Sequence, residues 1–115
     1  MTESAENEMN DFRNLTVWRK SRLLILELFN MTNDFNGLSK EIRSACVAIT
    51  THIALAFSHK NDTEKAKHLQ IAIELAHKLE KCLQLGWNCD RFTSHSYVQV
   101  TQDVKEIKAL LESEI

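Results

Sequence analysis

The sequence predicts an all-α protein, an antiparallel up-down four-helix bundle, and three observations support that class. Proline is absent from the 115 residues and glycine occurs only at Gly37 and Gly86, whereas turn-rich β folds depend on both residue types. Apolar residues recur at helical spacing in four segments. The breaks between the segments are short and polar, and short connections favour antiparallel neighbours in a bundle.

The first two predicted helices carry more apolar residues than one buried face requires. The first helix starts near Leu15 and ends before the polar break at residues 33–37. Apolar residues occupy two of its sides, so we expect it to be covered on more than one face. The second helix has Ser39 as its predicted N-cap, since a hydroxyl can accept a hydrogen bond from the free amides of the first turn. Small residues beside its apolar stripe would let another helix approach closely.

The third and fourth helices are delimited by polar caps and one glycine. Asn61 or Asp62 is the predicted cap of the third helix, and Gly86 is its predicted end, because glycine adopts the left-handed backbone conformation at little cost. Asn88 or Asp90 is expected to cap the fourth helix. The apolar residues of this last helix form a narrow seam.

The chain is expected to form one domain over residues 12–115, preceded by a disordered acidic tail over residues 1–11. Four of the chain's 16 acidic residues lie in this tail, which contains no lysine or arginine, so the remainder is slightly basic. We expect no signal peptide, because residues 1–11 are polar and acidic, and no apolar run in the sequence approaches about 20 residues. The sequence therefore predicts a soluble, cytoplasmic protein with no membrane partner.

Cysteine and histidine residues do not form a recognisable metal site. Cys46, Cys82 and Cys89 are an odd number for a disulfide framework, and the five histidines do not pair with them at the close spacing of structural zinc sites. We expect buried thiols and surface imidazoles, with His52 as an exception on a packed helix that could titrate near neutral pH. No metal, cofactor or small-molecule substrate is predicted.

No catalytic residues are predicted, although one helical ribonuclease hypothesis deserves a test. Arg91 lies four residues before His95, and on a helix the two side chains would share a face that could bind a phosphate. Arg–His pairs at this spacing are common by chance, and two glycines cannot build a phosphate loop or a nucleophile elbow. The sequence favours a protein that is not an enzyme.

A basic cluster near the start of the first helix is the candidate nucleic-acid site. No acidic residue lies between Asp11 and Glu27, so the cations of this segment could form one positive patch. The candidates are Arg13, Arg19, Lys20, Arg22 and, on the second helix, Arg43. The alternative is an ordinary solvated helix face with mixed charge.

The surplus apolar surface supplies candidates for a subunit interface. These are Trp18, Leu24 and Leu28 on the first helix and Ala48, His52 and Leu55 on the second. Trp18 has a second interpretation as an anchor within the core. Core and interface faces are both apolar, so the sequence does not separate them.

The first two predicted helices contain an F-x-x-L-x-V-W run, a Gly-Leu pair and two short helical motifs after it. The residues of these motifs are Phe12, Leu15, Val17, Trp18, Gly37, Leu38, Ile42, Arg43, Ala45, Val47, Ile53 and Ala54. With this pattern the chain resembles the bacterial 23S rRNA-intervening sequence proteins. The family favours Asn, Glu and Gly where this chain has His52, Leu55 and Ala56, and the family's usual prolines are missing. The likeness extends from about Phe12 to Trp87.

The resemblance implies a four-helix homo-oligomer, typically a ring-like pentamer, with no known enzymatic activity. Our first hypothesis is therefore a non-enzymatic, homo-oligomeric scaffold or binding module. The second is an accessory oligomer that binds RNA or DNA, like the basic pentamers of diversity-generating retroelements, although this chain is much less basic. The third is the helical ribonuclease centred on Arg91 and His95.

Overall fold

The protein is a four-helix bundle, as the sequence predicts. The computed structural model describes residues 15–34, 36–58 and 60–115. It contains α1 (Thr16–Met31), α2 (Gly37–Ser58), α3 (Asp62–Asn88) and α4 (Ser94–Glu112), and no strand occurs within those ranges. The predicted disordered tail at residues 1–11 lies outside the described residues.

The four helices are arranged in a closed square. Each helix packs against its neighbour in sequence, α4 packs back against α1, and the diagonal pairs do not touch in the described part of the chain. Since consecutive helices are joined by short connections, neighbours run antiparallel. None of these helices is long and apolar enough to cross a bilayer.

The core is built from aliphatic side chains of all four helices. The largest fully buried side chains include Leu28, Ile49, Leu79 and Ile107, one from each helix. The pair α2 and α3 packs most extensively along its length. Buried alanines explain this close approach, because small side chains let two helix backbones come together. They are Ala45 and Ala56 on α2 and Ala72 and Ala76 on α3.

The start of α3 follows the prediction, whereas α2 begins earlier than expected. The Asn61 side chain accepts a hydrogen bond from the Thr63 amide at 2.8 Å and caps α3. In α2 the Asn36 carboxamide oxygen accepts from the Ser39 amide at 2.8 Å. Asn36 therefore occupies the capping position, and the predicted cap Ser39 is a buried residue of the first turn whose hydroxyl donates to Asp34.

The prediction that α3 ends at Gly86 is wrong. The helix continues to Asn88, and the left-handed residue is Asp90, with φ of 59°. The Arg91 amide donates to the Gly86 carbonyl at 2.9 Å, and the Asp90 amide donates to the Trp87 carbonyl at 3.1 Å. This pair of bonds is the Schellman motif, in which a left-handed residue closes the helix.

Gly86 is buried because an aromatic ring lies against it. A Cβ atom added at this position would lie 2.8 Å from Cζ of Phe92 and closer still to Cε2. The glycine is thus needed for a close approach and not for its backbone conformation. The fourth helix is capped by Thr93, whose hydroxyl accepts from the Ser96 amide at 3.2 Å, and not by Asn88 or Asp90 as predicted.

Candidate functional site

The outward face of α2 lacks charge over most of its length. Residues 44–58 contain no lysine, arginine, aspartate or glutamate. Yet Ser44, Val47, Thr51 and Leu55 are exposed, Val47 by 43% and Leu55 by 38%. The outward face of α3 carries exposed Lys67, Glu74 and Lys81 and is an ordinary solvated surface. An uncharged outer face of four turns is typical of a surface that another protein covers.

A groove of about 780 Å³ runs along this face. It lies between the outer side of α2, the end of α1 and the connection that joins them. Its lining residues are Phe29, Asp34, Asn36, Gly37, Lys40, Arg43, Ser44, Val47, Ala48, Thr51 and His52. The charged and polar groups occur toward the α1 end, and the middle of the groove is formed by small or apolar side chains. The volume is large enough for several side chains of a partner helix.

Arg43 closes one end of the groove and fixes α2 to α1. Its guanidinium donates to the Phe29 carbonyl at 3.1 Å and to the Thr32 hydroxyl at 3.0 Å, and it lies 4.6 Å above the Phe29 ring. The buried Thr32 hydroxyl donates in turn to the Leu28 carbonyl at 2.6 Å. The last carbonyls of a helix have no partner within it, so these side chains satisfy the end of α1.

The predicted basic cluster is distributed over several directions. Lys20 points to α4, where its ammonium lies 2.8 Å from the Glu106 carboxylate. That hydrogen bond and the carboxylate charge raise the pKa of Lys20. Arg43 is engaged at the end of α1, whereas Arg19 and Arg22 are exposed on the outer face of α1. Arg13 lies outside the described residues, and the nucleic-acid site stays a prediction.

The outer face of α1 also exposes two large apolar side chains. Leu23 is 63% exposed and Leu26 is 58% exposed. They lie on the opposite side of the helix from Leu24 and Leu28, which are 2% and 0% exposed inside the bundle of a single chain. Leu24 and Leu28 therefore pack in the core of a single chain, and their side chains are not available to a subunit interface.

The remaining interface candidates occupy accessible positions, in part on the groove. Ala48 and His52 line it, and Leu55 continues the same outer face one turn beyond Thr51. Trp18 is half-buried and packs against the core, which agrees with its second interpretation as an anchor. Ser44, Val47 and Thr51 line the groove as well, and none of them belongs to the interface predicted from the sequence. The signal that could have found them is the absence of charge from residues 44–58.

Two histidines meet where α2 packs on α3. The Nδ1 atoms of His52 and His68 are 3.0 Å apart, with ring centroids 5.2 Å apart and ring planes inclined by 30°. Burial, and then the neighbouring His68, lower the pKa of His52. On the other side of His68, its Nε2 lies 4.0 Å from a carboxylate oxygen of Glu64. Neither His68 nor Glu64 was a candidate from sequence.

The proposed ribonuclease pair does not share a helix face. Arg91 lies before the start of α4 and its guanidinium binds the Asp34 carboxylate at 2.9 Å. His95 lies in the first turn of α4 and is exposed. Arg91 and His95 therefore do not form the shared helix face on which the ribonuclease hypothesis depended. The Schellman motif at the end of α3 places Arg91 in the connection between α3 and α4.

The cysteines have three different environments. Cys46 is buried, Cys82 is half-buried and Cys89 is exposed. Burial raises the pKa of Cys46 to about 11, so its thiol stays protonated at neutral pH. Within the described ranges, no three histidine, cysteine or acidic side chains come together as a metal-binding group.

The chain is similar in sequence and in fold to known proteins. The sequence model of the 23S rRNA-intervening sequence proteins matches residues 13–113. The chain belongs to this family. A solved structure with the same fold, at a TM-score of 0.79, is a protein of unknown function from the S23 ribosomal protein family of Bacteroides thetaiotaomicron. It is 24% identical, and the alignment covers 84% of this chain and 92% of that one.

The family membership confirms the resemblance drawn from the first two helices. At 24% identity the solved neighbour supports the fold alone. No curated protein matches the chain. The family match and the fold leave the activity of the protein open, so its function has to be inferred from its own surfaces.

Proposed function

We propose that this family member is a non-enzymatic helical module that assembles with copies of itself through the outer face of α2. The observation that carries the proposal is the uncharged stretch at residues 44–58, which includes exposed Val47 and Leu55. Leaving four turns of helix without charge on the solvent side is costly for solubility unless another chain covers them. The groove on the same face offers a concave surface for a partner's side chains.

The exposed leucines of α1 offer a complementary surface. Leu23 and Leu26 lie on an outer face that is distinct from the groove on α2. When two different patches of one chain bind each other, the contact is head-to-tail, and repetition closes a ring if the rotation allows it. This arrangement agrees with the pentameric ring that the family resemblance implies. The number five itself comes from the resemblance.

A charge placed in the groove tests this proposal. Thr51→Lys puts a cation in the proposed interface, and burying an unpaired charge costs several kcal/mol. Gln70→Lys is the matched control, because Gln70 is also an exposed, uncharged position in a helix interior but lies on the charged face of α3. Light scattering after size exclusion should give a smaller mass for Thr51→Lys and an unchanged mass for Gln70→Lys. Equal masses for Thr51→Lys and the unmodified protein would refute the role of this face.

Nucleic-acid binding is the second candidate function, and the exposure of Arg19 and Arg22 on the outer face of α1 favours it. In an oligomer that leaves this face of α1 uncovered, these cations would repeat once per subunit, and the contributions of phosphate contacts add. Affinity for single-stranded RNA or duplex DNA should then fall steeply with salt. Arg19→Glu with Arg22→Glu should abolish it, whereas Lys67→Glu with Lys81→Glu on α3 should not. Absent or salt-independent binding would remove this candidate.

A further inference from the structure

The His52–His68 pair is a candidate site for a metal ion, because the two imidazole nitrogens are close enough for one ion to contact both. Each Nδ1 carries a lone pair when it is unprotonated, and the two atoms are 3.0 Å apart. For two nitrogens at this separation, a metal ion at about 2.05 Å from each would subtend an angle of about 94°. That angle is close to the 90° between neighbouring ligands in octahedral and square-planar coordination, and narrower than the tetrahedral angle.

The two ligands are held on rigid elements. His52 lies six residues before the end of α2 and His68 lies in the second turn of α3. These helices approach closely because Ala56 and Ala72 are buried at 0% exposure between them. The imidazoles are therefore placed by helix packing and not by loops, and pre-positioned ligands lose little freedom on binding.

Glu64 lies near the outer nitrogen of His68, too far for a hydrogen bond but close enough for its charge to favour a proton there. Its carboxylate lies 4.0 Å from Nε2 of His68, one helical turn away on α3. A proton on Nε2 would face this carboxylate, which leaves Nδ1 unprotonated and directed to His52. The 3.0 Å contact between the two Nδ1 atoms is a hydrogen bond, so one of them carries a proton in the metal-free protein. Binding of a metal ion by both Nδ1 atoms therefore requires that this proton move to Nε2 of His52.

We propose that His52 and His68 form a two-histidine site for a divalent transition metal, of the Ni²⁺ or Cu²⁺ type, that bridges α2 and α3. The two imidazoles occupy neighbouring coordination positions and water fills the others. His52 is partly exposed and lines the groove, so an ion can reach the pair in the free chain, before a second copy covers this face. The near-right angle favours Ni²⁺ and Cu²⁺ over tetrahedral Zn²⁺, and hard cations such as Mg²⁺ prefer oxygen ligands.

The test is titration of the full chain, carrying no histidine tag, with Ni²⁺ by calorimetry at neutral pH. We expect one saturable site per chain. His52→Gln and His68→Gln should each weaken affinity at least about tenfold, the low end of losses seen at perturbed metal sites. Glutamine keeps a hydrogen-bonding group between the helices, so circular dichroism should show both variants folded. His77→Gln is the matched control, because His77 lies on the exposed side of α3 beside Lys108 and Glu80.

Two further readouts separate a bridging site from adventitious binding. Ni²⁺ should raise the melting temperature of the unmodified protein by several degrees, since a ligand that binds only the folded state stabilises it. The rise should disappear in His52→Gln and remain in His77→Gln. No saturable binding, or equal affinity in His52→Gln and the unmodified protein, would overturn the proposal. Equal loss in all three variants would overturn it as well, because it would indicate diffuse binding to surface imidazoles.

Discussion

Replacing Gly86 with alanine should destabilise the protein, although alanine is the better helix former. Gly86 lies inside α3 with ordinary helical geometry, so the substitution by itself gains about 1 kcal/mol of helix propensity. The new Cβ would lie 2.8 Å from Cζ of Phe92. Carbon atoms pack at roughly 3.5–4.0 Å, so the ring has to move by about 1 Å.

The cost of that movement exceeds the gain in helix propensity. Phe92 is half-buried and packs against the core, and overpacking of this kind costs about 1–3 kcal/mol. We therefore expect Gly86→Ala to lower the free energy of unfolding by about 1 kcal/mol, the difference between the overpacking cost and the propensity gain. In a Phe92→Ala background the obstacle is gone, and the same substitution should raise it by up to about 1 kcal/mol.

The change of sign is the diagnostic result. Urea unfolding of the four proteins, followed by circular dichroism at one protein concentration, gives the double-mutant cycle. A fixed concentration is needed because assembly makes apparent stability depend on it. If Gly86→Ala stabilises the protein equally with and without the Phe92 ring, the close approach does not explain why glycine occurs here.

Three further predictions concern single groups. Asp90 has φ of 59°, a backbone conformation that glycine adopts without strain and a β-branched residue does not. Asp90→Gly should therefore raise the free energy of unfolding by up to about 1 kcal/mol, and Asp90→Val should lower it. A loss of stability with glycine would contradict this explanation. Burial and the neighbouring Asp103 raise the pKa of Glu27 in the folded state. Folding therefore favours the protonated carboxyl of Glu27, and the stability gained from that protonation is lost as pH rises through the raised pKa. Glu27→Gln should thus stabilise the protein at pH 7 by less than about 1 kcal/mol and lose this effect near pH 4 in thermal melts, and a larger gain at pH 4 would be inconsistent with the assignment. A thiol reagent should label exposed Cys89 quickly and buried Cys46 only on unfolding, and fast labelling of Cys46 in the folded protein would contradict its burial.

The helices were predictable because their signals are local. Helical spacing of apolar residues located all four segments, and the Asn61 cap was read directly from the residues that begin α3. The errors occurred where a distant residue decided the local structure. Gly86 has the residue type of a helix end, but Phe92 packs against it, and Asp90 takes the left-handed conformation instead.

The surfaces were less predictable because they depend on how helices pack. Spacing alone did not separate Leu24 and Leu28, which are buried, from Leu23 and Leu26, which are exposed on the same helix. The contact of His52 with a histidine of α3 follows from the register of two helices that are joined by a short connection. No spacing rule within one segment contains that information, so the site became visible only in three dimensions.

The charge pattern of α2 was the strongest functional signal that the sequence contained. The absence of charged residues from residues 44–58 can be read without a structure, and the structure adds that Val47, Thr51 and Leu55 of this stretch face outward. Together the two facts support an interface, since a core helix would bury these residues. The predicted basic cluster, by contrast, does not form one patch in the fold. Lys20 of α1 binds Glu106 on α4, and Arg43 of α2 binds the end of α1.

The molar mass in solution, measured by light scattering after size exclusion, tests the proposed self-assembly most directly. We expect a mass several times the 13.3 kDa of one chain, near five times if the ring of the family is formed, and a lower mass for Thr51→Lys. A mass of one chain for the unmodified protein at micromolar concentration would contradict the proposal. The uncharged face of α2 would then have to be explained without a second copy.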